Sequence, residues 1–331
     1  MSDTARRPRI CVAGAGSIGC FVGGLLVQAG HDVRFLARSR IIEAVARDGL
    51  TLTDYSGLDL HLTALAMTDD PAEALAEADL VLVAVKSGAT AQIATDIQAF
   101  APHAQVISLQ NGVANADALR RALPQADVRA SVVPFNVVAK SGAAFHRASS
   151  GDILVEAGPL PSLGNPHLIW TPHRDIAAVQ WGKLLINLGN AINALADMPL
   201  LDQLHERRWR RLIADQMAEA LHVLRAAGIT PAKTTAAPPH LIPHILRLPT
   251  PLFRVIAAQM LTIDAQARSS MWEDLSRGRP TEIDALQGEI LSLAERNGRQ
   301  APLNTRMHAL IKAAEAAGKG PPGLGVDDIR Q

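Results

Sequence analysis

The sequence predicts an α/β domain built on a doubly wound parallel sheet, followed by a second, all-helical domain. Three observations lead there. Short apolar strands alternate with amphipathic helices through the first half of the chain. The run LVLVAV (80–85) is apolar without a break, as suits a strand covered by helices on both faces. After about residue 178 strand-like runs give way to helical ones. Strand–helix alternation implies βαβ units. A chain of 331 residues suits two domains, placed at 1–178 and 179–331.

In chain order, RICVAG (9–14) reads as a strand and 17–29 as a helix. DVRFLA (32–37) is a strand and 41–47 a helix. A helix over 88–99 leads from LVLVAV to the strand QVISLQ (105–110). RASVVPFNVVA (129–139), AAFHRA (143–148) and DILVEA (152–157) have no long helix between them, which predicts an antiparallel extension at the sheet edge. In the second half, 180–197, 203–227, 254–277, 282–297 and 304–317 read as helices. Pro231, Pro238, Pro239, Pro243, Pro249 and Pro251 crowd 230–251 and predict an ordered, kinked connection. The last stretch, GKGPPGLGVDDIRQ (318–331), reads as a frayed tail.

Composition excludes several classes of function. Lys plus Arg (32) balance Asp plus Glu (32), and the pI is near 7.2. A nucleic-acid or anionic-membrane binder needs a basic surface. The basic run ERRWRRL (206–212) in this neutral chain reads as a solvated helix face. Cys11 and Cys20 lack metal-ligand spacing and read as small buried hydrophobes in a reducing compartment. His240 and His244 are separated by Pro243 and have no evident third ligand, so no metal is expected. No apolar run reaches the ~18 residues of a membrane span, and MSDTARRPR leads directly into a strand. A cytoplasmic protein is the expectation. A homodimer would need an exposed apolar helix face in the second domain, which the sequence does not locate.

GAGSIG (14–19) fits the pattern G-x-G-x-x-G, closing a strand and opening a helix. Gly14 permits the tight turn, Gly16 lets backbone approach a pyrophosphate, and Gly19 lets the helix pack on the strand. The free N–H groups of the helix start, with Ala15, Ser17 and Ile18 in the loop, then face the phosphates. Ser17 is no hydrolase elbow, because position 15 is Ala. An NAD site places an acid at the end of the second strand; here that end reads Leu36-Ala37-Arg38-Ser39-Arg40. An arginine fork suits a 2′-phosphate, which points to NADPH, with Arg38 the clamp and Arg40 secondary. Lys86 follows LVLVAV and Asn111 follows VISLQ. Ligands of doubly wound sheets bind beyond such strand ends, so both residues are candidates for the cofactor and substrate crevice. A solvent-facing lysine and an Asn-Gly turn are the ordinary alternatives.

WGKLLINLGNAINAL (181–195) is an apolar helix-forming run that carries Lys183, Asn187, Asn190 and Asn193. At 100° per residue the first three fall within about 60° of one another and Asn193 at the edge of that stripe. Amides on an otherwise apolar wall suit a polar ligand. A second polar segment, SSMWEDLSRGRPTEID (269–284), holds Ser270 and Glu282. Pro280 and Thr281 there are read as the start of a helix with Glu282 in its first turn.

These motifs together, GAGSIG, Arg38, Lys86 in VKS, Asn111 in QNG, WGKLLIN, SSMWED, TEID and PLNTR, resemble the ketopantoate reductase family, the 2-dehydropantoate 2-reductases, over nearly the whole chain. The resemblance implies a Rossmann domain joined to an all-α domain like the C-terminal domain of 6-phosphogluconate dehydrogenase, with the active site in the cleft. It implies NADPH-dependent reduction of a 2-oxo acid, most simply ketopantoate, on the pantothenate and coenzyme A route. Lys183 corresponds to the general acid, Glu282 to the carboxylate that binds the substrate hydroxyl and supports the lysine. Asn111, Asn187 and Ser270 match substrate-contacting positions, and Lys86 a second active-site lysine. The family pattern places another asparagine eight positions after the lysine. Here that residue is Ala191, with Asn190 beside it, which leaves the identity of the acid open. Two other readings stand beside this one: a related dehydrogenase of another hydroxy or keto acid, and a non-catalytic NADP-binding sensor. The joint presence of Lys183, Glu282 and Ser270 counts against the sensor.

Overall fold

Strand β1 (Arg9–Ala13) shows how the first half is organised. Side chains alternate across a strand. Ile10 and Val12 enter one apolar cluster, Cys11 and Ala13 another, and all four are fully buried. A strand buried on both faces is the centre of a three-layer domain. The computed structural model describes residues 7–261 and 264–331. They form two units, one running to Ile176 and the other from Ala177 to Gln331.

The first unit continues with α1 (Ser17–Gln28), β2 (Asp32–Leu36), α2 (Ser39–Asp48), β3 (Leu50–Asp54), β4 (Asp59–Leu62), β5 (Ala66–Thr68), α3 (Pro71–Leu75), β6 (Leu80–Val83), α4 (Thr90–Phe100), β7 (Gln105–Ser108) and α5 (Asn115–Ala122). It ends with β8 (Val128–Val132), β9 (Val137–Ala139), β10 (Ala144–Arg147), β11 (Ile153–Glu156) and β12 (Trp170–His173). The main sheet has the order β12-β11-β8-β7-β6-β1-β2-β5. Its pairs are parallel from β8 through to β5, while β11 runs antiparallel to β8.

The edge differs from the sequence expectation. Of the strands expected there, β11 extends the main sheet antiparallel, with β12 parallel to it; β9 and β10 leave it and join a second sheet of order β4-β3-β10-β9. Here β10 pairs parallel with β3. The three strands between Leu50 and Thr68, and β12, also go beyond that expectation. Helix α1 explains the second sheet. Phe21, Val22, Leu25 and Leu26 on it share one core with Phe35 of the main sheet and Leu50, Leu52 and Phe145 of the second. A Cβ on Gly23 would lie 2.3 Å from the Phe35 ring, and one on Gly24 would lie 2.7 Å from Leu52. The helix is covered on both sides, which a single sheet cannot do. Cys11 and Cys20 are free, buried thiols pushed up to about 12 by burial.

The second unit comprises α6 (Ile176–Asn187), α7 (Gly189–Ala196), α8 (Leu200–His205), α9 (Arg207–Ala226), α10 (Ile242–Arg247), α11 (Thr250–Ile256), α12 (Ser270–Ser276), α13 (Ile283–Arg296), α14 (Pro302–Ala317) and α15 (Val326–Arg330). Four expectations need correction. The run 180–197 is two helices, broken at Leu188, whose carbonyl accepts a hydrogen bond from Gln287 Nε2 at 2.9 Å. Residues 203–227 are divided at Glu206, which is extended at φ −92°, ψ 119°. Residues 254–277 are not one helix: α11 ends at Ile256, a short 3₁₀ turn follows, and α12 starts at Ser270. The C-terminal stretch is not a frayed tail. Val326 and Ile329 of α15 are buried, and Arg330 pairs with Asp215 at 2.5 Å. Among the described residues no helix is long and apolar enough to cross a membrane.

The proline-rich connection is ordered as expected, and a buried arginine holds it. Arg210 on α9 is 0% exposed. Its five N–H donors reach the carbonyls of Leu204, His205, Leu246 and Leu248 and the hydroxyl of Thr250, at 2.8–3.2 Å. The guanidinium also stacks 4.2 Å from the Phe253 ring centre. These partners lie at the ends of α8, α10 and α11, where helices leave carbonyls unmet. Arg210→Met should therefore destabilise the second unit by at least about 3 kcal/mol, because several buried acceptors lose their donors at once. Urea unfolding followed by circular dichroism measures the loss.

Candidate active site

Strand register places four candidate loops on one edge of the first unit. Ala13 pairs with Leu36 and with Val83, and Val83 pairs with Ser108. The four parallel strands therefore end at one level. The chain leaves that level at Gly14–Gly19 after β1, at Arg38 after β2, at Lys86 after β6 and at Asn111 after β7. At ~4.8 Å per strand they span roughly 15 Å. The order β7-β6-β1-β2 puts the switch in winding direction at β1, where doubly wound sheets hold their ligands.

The glycine turn behaves as its spacing implies. Gly14 has φ +108°, and a Cβ there would lie 2.6 Å from the Val85 amide. A Cβ on Gly19 would lie 2.1 Å from the Gly14 carbonyl oxygen. Gly16 differs: nothing lies within 4 Å of where its Cβ would stand. Gly16 caps α1 with no side-chain bond, so the first amides of Ser17, Ile18 and Gly19 face outward with the positive end of the helix dipole. Open space beside an uncapped helix start is what a dinucleotide pyrophosphate requires. Ala15 is buried and its amide is bonded to the Leu36 carbonyl at 3.1 Å, which closes the turn from beneath.

Arg38 is exposed at the end of β2 and precedes α2. Among the described residues neither Arg38 nor Arg40 forms an ion pair. Lys86 is exposed and opens a 3₁₀ turn, and Asn111 is half-buried. The structure adds residues that sequence reasoning missed. Asn115, at the start of α5, donates from Nδ2 to Ser87 Oγ at 2.9 Å and to the Asn111 carbonyl at 2.6 Å. Its Oδ1 accepts from Thr90 Oγ1, which accepts from Gln110 Nε2, while Gln110 Oε1 accepts from Ser108 Oγ. This directional chain ties the Lys86–Ser87 loop to the Asn111 loop. The one signal in the sequence was an asparagine at a helix start, which reads as ordinary capping.

In the second unit, Lys183 lies in the third turn of α6. Gly182 beside it packs on the proline-rich connection: a Cβ there would lie 2.3 Å from the Ala232 carbonyl oxygen, and the Ala232 amide donates to Ala178 at 2.8 Å. Lys183 is only partly accessible. Desolvation lowers its ammonium from 10.5 to about 8, and the Glu282 carboxylate opposes that shift. Glu282 is the N-cap residue of α13, not part of its first turn, and makes no cap bond with its side chain. The amide of Ile283 is instead taken by Thr281 Oγ1 at 3.2 Å.

The four polar groups of 181–195 separate. Asn187 ends α6 and Asn190 lies in α7, both half-buried. Asn193 turns into the core. It is fully buried, donates to the Met198 carbonyl and Gln203 Oε1, and accepts the Ser269 amide at 2.8 Å. Ser269 in turn donates to the Asn190 carbonyl and caps α12 through Trp272. These bonds bring exposed Ser270 to the side of α7. Asp197, at φ +51°, holds both Arg268 and the Trp272 indole, so the segment is fixed from two directions. Ala191 is fully buried. Among the described residues no group of three His, Cys, Asp or Glu side chains is placed to hold a metal.

A Rossmann-type unit with an open pyrophosphate turn, followed by a helical unit bearing a desolvated lysine beside a carboxylate, defines a nicotinamide-dependent oxidoreductase of small molecules. The chain belongs to the ketopantoate reductase PanE/ApbA family: that family's model matches residues 10–159, and its C-terminal model matches 175–315. A 2-dehydropantoate 2-reductase of Halobacterium salinarum is 26% identical, over 94% of this chain and 100% of that protein. The crystal structure of a PanE/ApbA family ketopantoate reductase from Ralstonia eutropha has a TM-score of 0.80 at 28% identity, covering 94% of this chain and 99% of its own. D-mandelate dehydrogenase, solved with NADH and anilino(oxo)acetate, shares the fold at a TM-score of 0.76 and 18% identity, covering 94% and 99%.

Two glycine substitutions separate packing from binding. Gly16→Val should leave the fold intact, because φ is −88° and the space is open, yet weaken cofactor binding by at least about tenfold, roughly 1.4 kcal/mol. Gly19→Ala should destabilise the first unit by about 1–3 kcal/mol through overpacking. Thermal unfolding and titration of cofactor fluorescence distinguish the two.

Proposed function

We propose that this protein reduces 2-dehydropantoate to pantoate, with Lys183 as general acid and NADPH as reductant. The observation that carries the reading is the state of Lys183. Reduction of a keto carbon builds negative charge on oxygen, and a cationic donor beside that oxygen stabilises the transition state. An acid is most effective when its pKa lies near the working pH; an ordinary lysine is too weak, and desolvation brings this one to about 8. Glu282 keeps the ammonium charged while leaving it acidic. Family membership and the named relatives support the reaction, and this chain's Lys183, Glu282, Asn187, Asn190 and Ser270 supply the groups that would hold and protonate a hydroxylated 2-oxo acid.

NADPH supplies the hydride when bound. Gly14–Gly19 would hold its pyrophosphate, Arg38 its 2′-phosphate, and Lys86 with Asn111 the nicotinamide end and the substrate carboxylate. The open space at Gly16 and the exposed Arg38 guanidinium fit such a ligand.

A second reading rests on Ala191. A buried methyl group stands where the family pattern has an amide, so the hydrogen bonds of that amide are missing from this chain. The alternative is reduction of a 2-oxo acid other than ketopantoate. A panel of 2-oxo acids compared by kcat/KM decides between them.

Lys183→Ala should lower kcat with ketopantoate by ~10²–10⁴-fold. In the wild type only the ammonium donates a proton, so reduction should fall as pH rises through about 8. Glu282 raises the lysine pKa, so Glu282→Gln should move that alkaline limb to lower pH. Arg38→Ala should raise KM for NADPH by about tenfold or more and leave KM for NADH unchanged, since only the phosphate meets the fork.

A further inference from the structure

Glu282 is an acidic N-cap residue that does not cap. Short polar and acidic side chains at this position ordinarily turn back onto the free amides of their own helix. The Glu282 side chain makes no such bond, and its backbone, at φ −98° and ψ 28°, is outside the extended conformation typical of a cap. The task falls to Thr281, whose hydroxyl accepts the Ile283 amide. Thr281 is itself held: its amide donates to Glu315 Oε1 on α14 at 2.7 Å. On the other side of Glu282, Asp284 accepts from His308 Nε2 at 2.7 Å and from Lys312 Nζ at 3.2 Å, and Lys312 also reaches Glu315 at 3.1 Å. One face of α14 therefore holds the chain on both sides of Glu282, at Thr281 and at Asp284.

The grips are unequal. The Asp284 side chain is 67% exposed, so its ion pairs contribute little. Glu315 is 16% exposed and accepts a charge-assisted bond from a backbone amide. Burial raises its carboxyl, but the Thr281 hydroxyl and amide and the Lys312 ammonium outweigh that and lower it overall. It is a stable anion at neutral pH. The amide it holds belongs to the residue immediately before Glu282, where a small rotation of the peptide re-aims the next side chain.

We infer that Glu315, acting through Thr281, is a positioning residue for the reaction: it holds the α13 entry so that Thr281 caps the helix and the Glu282 carboxylate is turned to Lys183. The inference rests on the catalytic reading of Lys183 and Glu282. Without Glu315 the Thr281 amide loses its acceptor, the entry to α13 relaxes, and Glu282 is free to cap its own helix. Its support of the lysine ammonium is then lost while the rest of the site stays in place.

A double-mutant cycle on the full-length protein tests this, using NADPH, ketopantoate and steady-state kcat. Glu315→Ala should lower kcat by about ten- to a hundredfold, the scale of an ångström-level misplacement. Glu315→Gln keeps an acceptor oxygen for Thr281 and should retain most of the turnover. In a Glu282→Gln background Glu315→Ala should cost nothing further, because residues acting through one another are not additive. Equal losses from Glu315→Ala in both backgrounds, or equal losses from Glu315→Ala and Glu315→Gln, overturn the proposal while leaving the catalytic reading intact. Wild-type turnover in Glu282→Gln overturns the catalytic reading and this inference with it. Should Glu315→Ala not fold, Glu315→Asp takes its place: it keeps the charge but withdraws the acceptor, and the same loss, absorbed in the Glu282→Gln background, is expected.

Discussion

The first unit depends on a close approach that no side chain permits. Helix α1 must start directly from β1 and lie against it, and a Cβ on Gly19 would stand 2.1 Å from the Gly14 carbonyl oxygen. The same constraint recurs along the helix, at Gly23 against Phe35 and at Gly24 against Leu52. Three glycines in one helix weaken its intrinsic stability. What they allow is a helix wedged between two sheets, buried on both sides, with its amide end open at Gly16. Close packing and open space lie three residues apart in one turn, which leaves little tolerance for change at Gly19 and much space at Gly16.

The second unit follows a different logic. Its helices are short and interrupted, and the interruptions are answered by polar side chains from elsewhere. Gln287 meets the Leu188 carbonyl at the break between α6 and α7, Arg210 meets the ends of three helices, and Asn193 meets the entry to α12. Buried polar groups are costly unless satisfied, and satisfied networks specify one arrangement. Lys183 is supported by this framework: α6 can carry a desolvated ammonium because a carboxylate from α13 lies near enough to oppose its neutralisation. Desolvation alone would favour the neutral amine; strong pairing alone would make the acid too weak. The lysine lies between those limits.

Much of the candidate site was legible in the sequence because it rests on local rules. G-x-G-x-x-G needs only a strand before it and a helix after it, and the apolar run at 80–85 announces a strand covered on both faces. Lys183 stood out because charge is rare in so apolar a helix. Asn115 and Glu315 were not legible. Each is bonded to a partner distant in sequence, Asn115 to Ser87 and Glu315 to Thr281, and in isolation each looks like an ordinary helix residue. Asn193 shows the reverse case. Helical spacing put it at the edge of the stripe that carries Lys183, but the helix is interrupted at Leu188, and the Asn193 amide is fully buried and bonded to Gln203 and Met198.

By itself the sequence determined the βα order of the first half, the place of the glycine-rich turn, the helical nature of the second half and the residues that could perform acid catalysis. These follow from periodicity, glycine spacing and side-chain chemistry, all of which act over a few residues. Only the tertiary structure decided that β3, β4, β9 and β10 form a second sheet, that the C-terminal stretch is a packed helix, and which asparagines face the core. Those outcomes depend on long-range pairing and on where a buried polar group finds its partner, and no local pattern encodes either.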